Sequence, residues 1–211
     1  MKHDRQGVRQ INDWWQKQPY CHSSFSPYCL GVMNKLNRRI PIAYFITLTT
    51  YGTWLHGDPR GSVDRRYHNQ FDTPRIMPNK NLYTHMQKIT QSKPVVFNDC
   101  QRPVVMRAIQ SASEYYDWRL YAIHVRSNHV HLIVSALITP EKIMNQFKAY
   151  ASRALNKLTP TPSPQAYWAR HGSTRYIWSE AFLFPVMHYV IDQQGDRMAC
   201  YYEPWYDDLL K

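Results

Sequence analysis

Two histidines one residue apart, His129 and His131 in Ser127-Asn128-His129-Val130-His131-Leu132-Ile133-Val134, combine residue type and spacing in a way that suits chemistry. In an extended strand side chains alternate, so both imidazoles project from one face while Val130, Leu132 and Val134 project from the other. Neutral imidazole is the commonest protein metal ligand, and a divalent cation held there would stabilise charge on a phosphoryl oxygen. The same spacing occurs in zinc hydrolases and in cupin-like barrels, so the pair narrows the chemistry without fixing it.

Further along, Pro185-Val186-Met187-His188-Tyr189-Val190-Ile191-Asp192-Gln193-Gln194-Gly195 reads as a helix. Tyr189 and Gln193 are four residues apart and share a face, beside an apolar stripe of Val186, Met187, Val190 and Ile191. A nucleophilic phenol and an amide oxygen would then point the same way. A core tyrosine with Gln193 in solvent fits the spacing equally well. Tyr150, in Phe147-Lys148-Ala149-Tyr150-Ala151-Ser152-Arg153, is the rival nucleophile, but Ala154 four residues on offers no metal donor. Lys148 and Arg153 are candidates for phosphate contact, with a solvated helix face as the alternative. Asn128 suits a turn or a group that orients a ligand. His56, His124, His171 and His188 are assigned to no metal; His124 is expected to be packed or at a rim.

These residues need elements to hold them. A strand is expected over Ile42 to Thr50, ended by Gly52, followed by a long Gly/Pro/Asp/Arg connection to about Lys80 of the kind that serves as a lid. Asn98 or Asp99 caps a helix from Arg102 to Trp118 with the stripe Val105, Ala108, Ile109, Ala112 and Tyr116. Strands Leu120 to Val125 and His129 to Ser135, joined by Arg126-Ser127-Asn128, form a hairpin. Thr139-Pro140-Glu141 opens a helix over 141–157 with Ile143, Phe147 and Leu155 inward and Lys142, Lys148, Arg153 and Lys157 in water. A proline-rich loop, a short strand at Tyr176 to Trp178, and a last helix from Pro185 to Gly195 complete the order. The result is an α+β, ferredoxin-like split βαβ with an antiparallel sheet and an extra C-terminal helix carrying Tyr189. Residues 1–39 read as a basic N-terminal extension to a domain over 40–211.

The net charge of +11, from 26 Lys and Arg against 15 Asp and Glu, points to a polyanionic partner. The 16 Tyr and 7 Trp favour unstacked bases, hence single-stranded over duplex nucleic acid. A merely basic protein whose rings fill its core is the plainer account. Four scattered cysteines and no signal-peptide pattern suggest a reducing, cytoplasmic setting without disulfides. Cys21-His22 with Cys29 matches no standard zinc spacing. No apolar run approaches the roughly 18 residues of a membrane span.

Taken in order, strand Tyr44-Phe45-Ile46-Thr47-Leu48-Thr49-Thr50, Asn128-His129-Val130-His131-Leu132-Ile133-Val134 and helix Tyr189-Val190-Ile191-Asp192-Gln193 resemble the single-tyrosine HUH transposases of bacterial insertion sequences. That group includes the REP-associated tyrosine transposases. The resemblance spans about residues 42 to 195, and the loop Tyr51-Gly52-Thr53-Trp54-Leu55-His56-Gly57-Asp58 also looks familiar from this group. It implies a two-step transesterification on single-stranded, hairpin-containing DNA through a 5′-phosphotyrosine formed by Tyr189. It further implies Mg²⁺ or Mn²⁺ on His129, His131 and Gln193, and a homodimer. A domesticated nuclease of repeated DNA hairpins, a non-catalytic ferredoxin-like nucleic-acid-binding module and a zinc hydrolase are the competing readings. The last would want a third histidine or a carboxylate ligand, and Asp192 lies off the Tyr189 face.

Overall fold

The computed structural model of the chain describes residues 40–62, 76–90, 92–159 and 166–208. The expected extension over 1–39, including Cys21, His22 and Cys29, lies outside them. Five strands, β1 (Ala43–Thr50), β2 (Arg119–Val125), β3 (His129–Ser135), β4 (Trp168–Ile177) and β5 (Ala199–Tyr202), form one sheet. All neighbours are antiparallel in the order β4-β1-β3-β2-β5. The first four strands have the split-βαβ arrangement expected, and β5 adds an edge beside β2. Helices α1 (Lys80–Ile89), α2 (Gln101–Tyr115), α3 (Pro140–Leu158), α4 (Glu180–Asp192) and the single turn α5 (Trp205–Asp208) surround it.

Strand alternation sorts the apolar residues onto two faces. On one, Ile46, Leu48, Ile123, Val125, Val130, Leu132 and Val134 pack beneath Val105, Ile109 and Ala112 of α2 and Ile143, Phe147, Ala151 and Leu155 of α3. On the other, Phe45, Tyr121, Ala122, Ile133 and Ile177 pack beneath Leu183, Val186, Met187, Tyr189, Val190 and Ile191 of α4, with Tyr206 of α5. Each large apolar side chain so removed from water contributes about 1.5–3 kcal/mol, which is what holds the helices to the sheet. His129 and His131 share the parity of Ile133, so they lie on the α4 face.

The hairpin closes where Arg126 N–H donates to the His129 carbonyl at 2.8 Å, pairing Val125 with Val130 and His124 with His131. Ser127 and Asn128 are the loop, and it is pinned from outside. The Ser127 carbonyl accepts from Phe97 N–H at 2.7 Å, and the Asn128 carbonyl from Thr50 N–H at 3.0 Å.

Several boundaries differ from the sequence reading. Helix α2 stops three residues before Trp118 because Asp117 takes φ 55°, and Trp118 N–H turns back to the Ser113 carbonyl at 2.8 Å, a left-handed helix end. Helix α4 begins at Glu180, not at Pro185, which lies inside it. The bond that Pro185 cannot make would go to the Ala181 carbonyl, and Ala181 is exposed, so water can take that carbonyl. Strand β4 extends far beyond Tyr176–Trp178; as an edge strand with exposed Arg170, His171 and Ser173 it lacks the apolar alternation that would announce it. Helix α1 was not foreseen. It buries no residue, and its visible signal is the cap Asn79, whose Oδ1 accepts from Leu82 N–H at 3.0 Å.

Candidate active site on the α4 face

The histidine strand and helix α4 meet within one chain. The Tyr189 ring lies 5.5 Å from that of His131 and 5.9 Å, edge-on, from Phe45, and the two histidine rings are 4.6 Å apart. Tyr189 and His131 are buried, whereas His129 is half-buried.

Each histidine has a fixed Nδ1 partner. Asn128 Oδ1 lies 2.7 Å from His129 Nδ1, and a carbonyl oxygen can only accept, so His129 carries its proton on Nδ1 and presents the Nε2 lone pair. His131 Nδ1 lies 2.8 Å from the hydroxyl of Thr47, directly opposite it on β1. Burial holds the His131 pKa well below its ordinary value, and the neighbouring His129, His124 and Arg126 push the same way. The ring is therefore neutral at physiological pH, the state that binds a metal. Among the described residues no three His, Cys, Asp or Glu cluster as a ligand set. The pair fits a divalent ion whose further donors are amide, water or phosphate oxygens.

At the end of α4 the two adjacent glutamines behave differently. Gln193 is the C-cap residue and half-buried. Gln194 is buried; its Nε2 donates to the Tyr189 carbonyl at 3.0 Å, and its side chain also hydrogen-bonds the His131 ring. His124 is fully buried in β2, in the sheet row Thr47, His131, His124, Cys200. Its Nε2 accepts from Met198 N–H at 3.1 Å, so its Nδ1 is the protonated nitrogen and donates to the Val190 carbonyl at 2.8 Å. Thr47 and Gln194 were assigned no role from sequence, and His124, expected to be packed or at a rim, is fully buried. The signal that would have found His124 and Thr47 is register, since a two-residue Ser127-Asn128 loop places His124 opposite His131.

The outer side of α4 is tied down as well. Asp192 accepts from Tyr206 Oη at 2.5 Å and Arg197 at 2.5 Å, and His188 Nδ1 lies 3.1 Å from it. Burial tends to raise the Asp192 pKa, but the hydrogen bonds from Tyr206, Arg197 and His188 prevail and hold it below the ordinary carboxylate value. His188 thus points away from the histidine pair, as expected.

The remaining candidates lie elsewhere. Tyr150 is on α3 and packs against the opposite core, its ring 6.1 Å from Tyr116 with the Arg153 guanidinium 4.5 Å over it. Arg153 is exposed. Lys148, expected in water, is half-buried; its ammonium donates to the carbonyls of Ala169 at 2.8 Å, His171 at 3.1 Å and Arg170 at 3.5 Å, riveting α3 to β4. No helix among the described residues is long and apolar enough to cross a membrane.

An antiparallel split-βαβ sheet with a histidine pair beneath a tyrosine-bearing helix defines the class of protein to compare. The family model of IS200-like transposases matches residues 79–185, just over half of the 211-residue chain, and the chain belongs to that family. The matched span contains His129 and His131 and ends four residues before Tyr189. Among solved structures the chain is similar to a protein of Deinococcus radiodurans R1 assigned as a transposase, at 13% identity and a TM-score of 0.40, over 74% of this chain and 93% of that one. It is also similar to a REP-associated tyrosine transposase bound to a REP hairpin, at 12% identity and a TM-score of 0.40, over 81% of this chain and 71% of that one. No curated protein matches the chain significantly.

Proposed function

We propose that this member of the IS200-like transposase family cleaves and rejoins single-stranded DNA, with Tyr189 as nucleophile. The observation that carries the reading is the Tyr189 ring against His131 of the same chain, on the face where both histidines of the strand project. As the Tyr189 Oη–phosphorus bond forms, the phosphorus–O3′ bond breaks; the phenolic proton is lost and the 3′-oxygen takes one up. A 5′-phosphotyrosine and a free 3′-OH remain, and attack by a 3′-OH reverses the step with the bond energy conserved. His129, His131 and the Gln193 amide would hold Mg²⁺ or Mn²⁺, which when bound would supply charge stabilisation at the scissile phosphate and the leaving oxygen. Asn128 orients the His129 ring with its Nε2 outward and Thr47 orients the His131 ring, which burial keeps neutral. Tyr150 is a poor rival on geometry alone, since it packs on the other side of the sheet.

The DNA is proposed to carry a hairpin and the enzyme to act as a homodimer. His131 and Tyr189 already meet within one protomer, so pairing of two chains is not needed to unite them. Of the two basic candidates, exposed Arg153 is offered for phosphate contact, while Lys148 is committed to three carbonyls.

The test incubates the protein with Mn²⁺ and a labelled single-stranded hairpin from its own genomic neighbourhood, and looks for a covalent adduct on a denaturing gel. An adduct is expected from wild type and Tyr150→Phe and none from Tyr189→Phe. An adduct that survives in Tyr189→Phe but vanishes in Tyr150→Phe would overturn the assignment, and no adduct with any flanking DNA would favour a non-catalytic binding module.

A further inference from the structure

A helix ends with carbonyls that have no partner of its own, and the last ones of α4 include those of Tyr189 and Val190. Here both are taken by buried side chains, one from the residue directly after the helix C-cap and one from a strand of the sheet. Gln194 Nε2 binds the first at 3.0 Å and His124 Nδ1 the second at 2.8 Å. His124 comes from β2, and its other nitrogen accepts from Met198 N–H at 3.1 Å, just before β5. The Gln194 amide also reaches the His131 ring, so one side chain touches both the tyrosine's backbone and the histidine strand.

We infer that His124 and Gln194 are positioning residues that set the height and rotation of the Tyr189 helix over the histidine pair. The inference rests on Tyr189 being the nucleophile. Apolar contacts such as Val186, Met187, Val190 and Ile191 hold α4 to the sheet but tolerate sliding and rotation, because dispersion and burial are non-directional. The His124 bond ties the Val190 carbonyl to β2, and Gln194, held on the Tyr189 carbonyl, ties the same helix end to the His131 ring; together they remove both freedoms at the end nearest the reacting ring. In-line attack is sensitive to this, since a misplacement of about 1 Å can cost on the order of 10²-fold in rate.

The variants are Gln194→Met, which keeps length but loses the amide, His124→Phe, which keeps a ring but loses both nitrogens, and His124→Asn, whose amide nitrogen can stand where Nδ1 does. Adduct formation is followed under single turnover over a range of hairpin DNA concentrations, on protein shown folded by circular dichroism. The expected result is a saturated rate constant lowered about 10- to 100-fold for Gln194→Met and His124→Phe. Half-saturating DNA should stay unchanged, and His124→Asn should recover most of the rate. Folded variants that react at the wild-type rate, or whose loss lies entirely in half-saturating DNA, overturn the inference. Should His124→Phe not fold, Gln194→Met decides alone. Tyr189→Phe runs alongside. An adduct persisting there sinks the nucleophile assignment itself, whereas its loss there with wild-type rates in the other variants sinks only the positioning role.

Discussion

Replacing Lys148 with Met separates a structural ammonium from a DNA-binding one. The Lys148 ammonium sits under β4 with three carbonyl acceptors, and burial pushes its pKa down to about 8, while the carbonyls work in the opposite direction. An unfolded lysine titrates near pH 10.4, so between about 8 and 10.4 the unfolded chain holds more protons than the folded one. Stability contributed by this site therefore rises with pH across that window; the penalty is complete below pH 8 and gone above about 10.5. A gap of that size is nominally about 3 kcal/mol, and because water still screens the partly exposed ammonium we discount it to about 1–2 kcal/mol. Lys148→Met carries no such titration, and ionisations common to both proteins cancel in the difference. Urea unfolding at pH 7, 8, 9 and 10 should show the wild type gaining about 1–2 kcal/mol on the variant between the extremes. Parallel stability curves would refute the reasoning. In single-strand binding, Lys148→Met should leave the salt dependence alone, while Arg153→Met lowers its slope by about 0.7 if Arg153 meets a phosphate.

Three other outcomes are expected. Thr47→Val removes the 2.8 Å partner of His131 Nδ1 while keeping a good strand former, and should weaken Mn²⁺ binding about 10- to 100-fold by calorimetry; unchanged affinity would show that Thr47 does not orient the ring. Tyr206→Phe deletes a fully buried hydroxyl that donates to Asp192 at 2.5 Å and should cost about 1–3 kcal/mol in chemical denaturation, with no loss meaning that Arg197 and His188 suffice for the carboxylate. Gly57→Ala places a Cβ 2.5 Å from the Asn79 carbonyl oxygen and 2.7 Å from Tyr83 N, at φ 82°. Hydrogen exchange should then speed up in α1 and stay slow in the sheet, and unaltered α1 amides would mean that this loop does not hold the helix.

What the sequence made legible follows burial. The strands that cross the middle of the sheet and the helices α2 and α3 declare themselves because each has a strong one-sided apolar pattern, and β3 is found at His129–Ser135 as read. Elements at the margin do not. Helix α1 buries nothing, and β4 alternates without an apolar face, so periodicity has little to report. Pro185 misled for a different reason. A proline is favoured at a helix start, but it is tolerated inside one when the carbonyl it strands is exposed, and exposure of Ala181 is a tertiary fact. In the site, the histidine pair and Tyr189 were visible as local spacing, whereas Thr47, His124 and Gln194 act across strands or back along a helix end. Their relevance depends on register and on which carbonyls lack partners, neither of which a linear motif records.

The choice between Tyr189 and Tyr150 shows how much the parity of a strand can decide. Both tyrosines follow the histidine strand on helices, and from sequence only the amide four residues after Tyr189 separates them. In the fold, α3 covers the face of Val130 and Leu132 and α4 covers the face of His131 and Ile133. A residue on α3 cannot reach the imidazoles without crossing the sheet. The same parity limits how substrate would approach. His131 is enclosed by Phe45 and Tyr189, at ring distances of 5.4 and 5.5 Å, while His129 is half-buried beside Asn128 at the end of the strand. On the proposed reading a phosphate must come in from the His129 side, so the buried histidine fixes the geometry and the half-buried one meets the DNA.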